Sequence, residues 1–281
     1  MEKRTAVVTG AGAGLGFATA TLLCEEGWEV YGSVSKRNSI EELEKLGVVV
    51  FALDIANHEE TDAFAAFVEE KLGDRGLSAL INVAGISGPG SGLLEGVSPE
   101  NAKLTVDVNL HGTLNMVRSF LPLLRKYGPA RIVNVSSGNL TPAPFTGVYL
   151  VSKFGVEGIT NVLRYEMAPF GIQATSVEPA GMKTNMTKNA EERTKQTWDR
   201  MGEKVKNAYY DKINPSLEFM NRVIDSSDEP IEVAKVILKA LNAKKMKIRY
   251  QAKSVAWQLP VWRLLGENAF ESMMMKGMKL K

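Results

Sequence analysis

The chain has 281 residues, 44% hydrophobic and 23% charged, with a formal net charge of +2; this fits one large or two small soluble globular domains, and the charge is too small to argue for nucleic acid. One cysteine, Cys24, excludes an internal disulfide, and the two histidines, His58 and His111, stand far apart with no cluster at metal-ligand spacing, so no metal is expected. No apolar run approaches the ~20 residues that cross a bilayer, and MEKRTAVVTG enters a strand with no secretory signal, so the expected location is cytoplasmic.

Residues 5–9, TAVVT, are β-branched and apolar and read as a buried strand. GAGAGLG (10–16) and a helical stretch, FATATLLCEEG (17–27), follow. Strand, glycine-rich turn and helix together point backbone N–H groups and a helix N-terminus at a phosphate. The glycines miss G-x-G-x-x-G, because the last position counted from Gly10 is Leu15. They fit T-G-x-x-x-G-x-G at Thr9, Gly10, Gly14 and Gly16. We therefore favour dinucleotide binding at Gly10, Gly14, Leu15 and Gly16 over a tight turn with no ligand. Cys24 reads as a small buried apolar side chain of the helix.

The next strand, WEVYGSV (28–34), ends at Val34, where dinucleotide folds meet the adenosine ribose. No carboxylate follows. Ser35, Lys36 and Arg37 do, and two cations there suit a 2′-phosphate. This favours NADP(H) over NAD(H), the alternative being solvated loop charges. A short helix near 39–46 leads to the strand VVVFALDI (48–55). Either Asp54 receives the adenine amino group, with Ile55 against the ring, or Asp54 caps the helix that follows. His58, in the first turn of that helix, is expected in solvent.

LSALINVAG (77–85) is a fourth strand ending in Asn82-Val83-Ala84-Gly85, small enough for a backbone to approach a ribose closely. Residues 99–126 read as one long helix bent near Gly112. Asn109 sits in it among apolar residues, as a satisfied core polar group or part of a proton relay. His111 reads as a partly exposed polar residue. The apolar run RIVNVSS (131–137) ends at Ser137. Tyr149 and Lys153 then lie four apart on a helix from about 147 to 168, one turn apart on one face. The ammonium is expected to pull the phenol from its usual value of about 10 toward neutrality. A serine hydroxyl at the adjacent strand end can hold a substrate oxygen against the phenol. The set lacks only something to exchange a hydride with.

GIQATSVEPAG (171–181) is a sixth strand and its exit loop, with Pro179, Gly181 and Thr184. Residues 186–225 change character, to one or two amphipathic helices carrying Trp198, Met201, Tyr209 and Tyr210. Interrupting the alternation beside the crevice, they read as a substrate-covering insertion. A helix opened by Pro230 and a last strand near 247–251 follow, then a Met-rich extension, 252–281. That tail packs within the protein by default; lining the pocket, packing in an oligomer and touching a membrane are the alternatives. The alternation of apolar strands and helices calls for an α/β, Rossmann-like doubly wound parallel sheet in a single domain. Its crevice lies beyond the strand C-termini, where the singled-out residues converge.

In order and spacing, Thr9-Gly10-x-x-x-Gly14-x-Gly16, Asn82-Val83-Ala84-Gly85, Asn109, Ser137, Tyr149-x-x-x-Lys153 and Pro179…Thr184 resemble the short-chain dehydrogenase/reductases. The resemblance covers about residues 3–185, and 149–179 look most like the retinol, hydroxysteroid and 3-hydroxybutyrate dehydrogenase branch. It implies that Tyr149 is the general acid/base and that Lys153 lowers its pKa and binds the nicotinamide ribose. Ser137 would orient the substrate oxygen, and Asn109 hold a water in a relay from Lys153. Asp54 would contact adenine, and the loop 179–184 the carboxamide, through Thr184. Three departures stand out: a Ser-to-Tyr interval of twelve, which makes Ser136 a rival, Pro179-Ala180-Gly181 in place of Pro-Gly, and Asn82-Val83 in place of Asn-Asn.

The expected activity is interconversion of a hydrophobic secondary alcohol and its ketone, with NADP(H) favoured and NAD(H) the alternative. A small hydroxy acid would instead require a cationic clamp in the lid, where Lys183, Lys188 and Arg193 stand. A non-catalytic dinucleotide sensor would need the crevice but not the acid/base pair. Family analogy favours a homodimer or homotetramer built on the long helices 99–126 and 150–168.

Overall fold

The computed structural model describes residues 3–35, 40–137, 144–179, 182, 190–225, 228–252 and 267–280. Its strands are β1 (Thr5–Val8), β2 (Glu29–Val34), β3 (Val49–Ala52), β4 (Ala79–Asn82), β5 (Arg131–Val135), β6 (Gln173–Glu178) and β7 (Arg249–Gln251). The first helices are α1 (Gly14–Glu25), α2 (Glu41–Lys45), α3 (His58–Leu72), α4 (Pro99–Val106) and α5 (Gly112–Tyr127). The later ones are α6 (Gly147–Glu166), α7 (Ala190–Asp225), α8 (Pro230–Asn242) and α9 (Glu267–Gly277).

The strands form one parallel sheet in the order β3-β2-β1-β4-β5-β6-β7. The chain winds outward from β1 to β3, then returns and winds the other way from β4 to β7. The switch falls between β1 and β4, and a crevice opens there beyond the strand C-termini. Successive side chains leave a strand on opposite faces. Ala6 and Val8 join Leu23 of α1 and Ile237 of α8 in one apolar cluster. Val7, between them, joins Phe64 of α3, Phe120 of α5 and Leu163 of α6 in the other. Both faces are covered, which is why the strands read as predominantly apolar runs.

One expectation holds and one is corrected. The interruption expected near Gly112 is a π-helical turn, Asp107–His111, directly before it between α4 and α5. The cap of α3 is Asn57, whose side chain accepts the Glu59 N–H; Asp54 instead accepts the Ala56 N–H at 2.9 Å within the preceding turn. α7 stands outside the alternation and is interrupted at Gly202 (φ 81°), a backbone break that kinks it. Among the described residues no helix is long and apolar enough to cross a membrane.

Candidate active site

The glycine turn after β1 is closed by backbone contacts that leave no room for side chains. A Cβ on Gly16 would lie 2.0 Å from the Gly10 carbonyl oxygen, and one on Gly10 (φ 66°) 3.0 Å from the Ala84 Cα. Thr9 Oγ1 accepts the N–H groups of Val83 and Ala84 at 2.9 and 3.0 Å, tying the ends of β1 and β4 together. α1 starts at Ala13 with no side-chain cap and no acid in its first turn, whereas α3 and α4 carry caps and first-turn acids. The Phe17 N–H reaches the Ala13 carbonyl, so Gly14, Leu15 and Gly16 precede the first intrahelical donor. Leu15 buries its side chain in the core and brings only its backbone to this end. A glycine-walled, uncapped, acid-free helix start suits the pyrophosphate of a dinucleotide. Asn82 adds a buried Oδ1 with no hydrogen-bond partner, while its Nδ2 donates to Asn134 at 2.8 Å.

Asp54 and Ser35 are exposed at the ends of β3 and β2, and Ile55 is buried beside them. Lys36, Arg37, Gly181 and Thr184 lie outside the described residues, as do Lys183 and Lys188. Pro179 is buried at the end of β6. Among the described residues no group of His, Cys, Asp or Glu gathers to hold a metal ion.

β5 delivers Ser136 and Ser137, both buried. The Ser137 side chain lies close enough to Tyr149 to favour its phenolate. The Ser136 Oγ is buried without a hydrogen-bond partner. Tyr149 occupies the first turn of α6, half-buried, and Lys153 follows one turn on at 5% exposure. Lys153 Nζ donates to the Val135 carbonyl at 3.0 Å, and burial brings its pKa down from 10.5 to about 8. The expected lowering of the Tyr149 pKa by Lys153 is corrected: burial pushes the phenol above its usual value, and the Ser137 side chain opposes that rise.

Asn109 explains the π-helical turn. Its Oδ1 accepts the Ile86 N–H at 2.7 Å, and its Nδ2 donates to the Ile86 carbonyl at 2.8 Å and to Ser152 Oγ at 2.9 Å. Ser152 in turn donates to the Tyr149 carbonyl at 2.6 Å. A turn of this kind re-aims one side chain within a helix; here it pins the loop after β4 to the helix carrying Tyr149. A Cβ on Gly85 would sit 3.1 Å from Asn109 Oδ1 and 3.3 Å from Lys153 Nζ, so only glycine fits comfortably between them. Sequence reasoning passed over Ser152, whose signal was its place three residues after Tyr149 on the same helix. His111 is exposed and pairs with Asp107 at 3.0 Å, and His58 is exposed at the start of α3.

The same loop carries the insertion. The Tyr149 N–H reaches the Gly90 carbonyl at 3.3 Å, and Met201 of α7 fills the space beside Gly92 and Gly96. Trp198 is 2% exposed and stacks obliquely on Phe145, with ring centroids 4.8 Å apart. Phe145 has φ 70°, a backbone state costly for a non-glycine residue and held here by the surrounding packing.

Residues 4–195 match the family model described as short chain dehydrogenase. The chain belongs to the short-chain dehydrogenase family. It is an NAD(P)-dependent oxidoreductase of CH–OH groups. The 17-beta-hydroxysteroid dehydrogenase type 6 of Mus musculus is 36% identical over 217 residues, 74% of this chain and 67% of the relative. The mitochondrial D-beta-hydroxybutyrate dehydrogenase of Rattus norvegicus is 32% identical over 273 residues, 91% of this chain and 78% of the relative. Among solved structures, a short chain dehydrogenase from Burkholderia cenocepacia in complex with NADP has a TM-score of 0.75 at 25% identity, covering 98% of both chains. The branch suggested by residues 149–179 is therefore the one in which these relatives lie.

Proposed function

We propose that this dehydrogenase interconverts a hydrophobic secondary alcohol and its ketone through Tyr149, Ser137 and Lys153. The observation that carries the reading is the Ser137 side chain beside Tyr149 with the buried Lys153 ammonium one turn along α6. Ser137 orients the carbinol oxygen. Tyr149 takes its proton during oxidation and returns it during reduction. A bound nicotinamide supplies or accepts the hydride. Lys153 has donors to spare beyond Val135 and would hold the ribose, which also returns a partner to its charge. Asn109 holds the loop and α6 in register and lies at the head of a proton path from Lys153.

The glycine turn, Asn82, Ala84, Gly85 and the 179–184 segment would hold the nucleotide. Lys36 and Arg37 favour NADP(H). α7 acts as the substrate cover, since its Trp198 packs on Phe145 before Tyr149 and its Met201 packs beside Gly92 and Gly96 in the loop after β4. The single thiol of Cys24 fits a reducing, cytoplasmic setting. A stripe on α6, Val151, Phe154, Val162 and Tyr165, is exposed to solvent around Gly158, which has open space beside it. Its spacing suits a second copy of the same helix, hence a homodimer or homotetramer.

The test is a panel of secondary alcohols and ketones followed by nucleotide absorbance, with NADPH and NADH titrated in parallel. Turnover of apolar secondary alcohols with tighter NADPH binding is expected. Nucleotide binding without turnover of any alcohol or ketone would overturn the reading in favour of a nucleotide sensor.

A further inference from the structure

Arg193 of α7 is partly buried and makes no side-chain hydrogen bond or ion pair among the described residues. Its Nη2 lies 3.9 Å from where a Cβ on Gly88 would stand, in the loop after β4. Arg200 lies two turns on along α7 and donates through Nη2 to the Gly88 carbonyl at 2.9 Å and to Thr197 Oγ1 at 3.0 Å. The two guanidiniums thus flank one short loop, and burial together with the charge of Arg200 lowers the pKa of Arg193. Nearby acids are committed elsewhere. Glu192 accepts from Gln196 at 3.1 Å, Asp199 and Glu203 pair with Lys206 at 3.7 and 3.9 Å, and Glu95 accepts from Tyr209 at 2.7 Å. Two like charges with no counter-charge among the described residues, one of them partly buried, are unfavourable, and an anion relieves them. A guanidinium fork matches a carboxylate with two parallel hydrogen bonds. The loop that Arg193 faces is also fastened to both halves of the catalytic set, through Ile86 to Asn109 and through Gly90 to Tyr149.

We propose that Arg193, held in place beside Arg200, recognises a carboxylate on the substrate, so that the alcohol taken by this enzyme is an amphipathic hydroxy acid. The proposal rests on the alcohol site described above. It selects Arg193 from the lid cations of the sequence because Arg193 alone of the described lid cations meets the loop without a partner. The other anion within reach is a nucleotide phosphate, and the test separates the two.

The wild type, Arg193→Met and Arg193→Lys are titrated calorimetrically, in the presence of nucleotide, with octanoate and with octan-2-ol. Turnover is then compared between secondary hydroxy acids of increasing chain length and their methyl esters. Charge-assisted hydrogen bonding predicts that the wild type prefers acid to ester by roughly 10- to 100-fold in kcat/KM. Arg193→Met should abolish that preference, change the esters by less than about threefold and leave nucleotide affinity unaltered; Arg193→Lys should keep part of it. Octanoate should bind the wild type more tightly than octan-2-ol, and Arg193→Met should erase the difference. Equal use of acids and esters by the wild type, equal loss on both in Arg193→Met, or loss of nucleotide affinity instead would overturn the carboxylate site. Turnover of esters in any of these cases leaves the alcohol reading standing. Absence of all turnover, with octanoate still bound through Arg193, would remove the alcohol reading and keep the anion site.

Discussion

Replacing Lys153 by Met should abolish turnover and yet stabilise the protein. Lys153 is 5% exposed, and burial brings its pKa from 10.5 to about 8. At 1.36 kcal/mol per pKa unit, holding the ammonium in that site costs about 3 kcal/mol at pH 7. Met keeps an unbranched apolar side chain of similar length and removes the charge. It also removes the hydrogen bond to the Val135 carbonyl, which returns about 1 kcal/mol of the gain. The net expectation is a variant more stable by about 2 kcal/mol at pH 7. The pH dependence follows from the direction of the shift. The folded-state pKa lies below the unfolded one, so between pH 8 and 10.5 the unfolded chain holds the proton more tightly. Wild-type stability therefore rises with pH through this window on account of this group, and the variant lacks that rise. Urea unfolding at pH 7 and pH 10, read as a change in midpoint at constant slope, measures both effects. A variant no more stable than wild type at pH 7, or a gap of the same size at both pH values, would refute the reasoning.

Gly16→Ala places a Cβ 2.0 Å from the Gly10 carbonyl oxygen, so the turn must open; nucleotide affinity measured by tryptophan fluorescence should fall at least roughly tenfold. Asn109→Leu removes three side-chain hydrogen bonds to Ile86 and Ser152, and urea unfolding should show a loss of roughly 2–4 kcal/mol. The double change Phe154→Asp and Val162→Asp puts charge into the exposed α6 stripe; sedimentation should show a smaller assembly with turnover per subunit reduced less than the association.

The strands were legible because both sheet faces are covered, which leaves predominantly apolar runs, with few polar residues such as Ser33 and Asn134 inside them. Ser137, Tyr149 and Lys153 could be placed from sequence because they sit at a strand end and on one helix, where sequence spacing fixes position. The remainder depended on tertiary contacts. The π-helical turn arises because Asn109 leaves its helix to bind Ile86, a partner 23 residues away in the chain. Asn57 displaced Asp54 as the cap because the chain turns once more before α3, at Ala56. The phenol of Tyr149 moves up because burial outweighs the opposing effect of Ser137, and burial is set by tertiary packing rather than by local spacing. Arg193 was visible as a lid cation, but its pairing with Arg200 across Gly88 required the docking of α7 on that loop.

The most direct test of the account is Tyr149→Phe, which removes one hydroxyl and keeps the ring. On an alcohol that the wild type oxidises, kcat/KM should fall by about 10²- to 10⁴-fold, while nucleotide affinity stays within about threefold of wild type. Near-normal turnover by Tyr149→Phe would contradict the assignment of the acid/base to this residue.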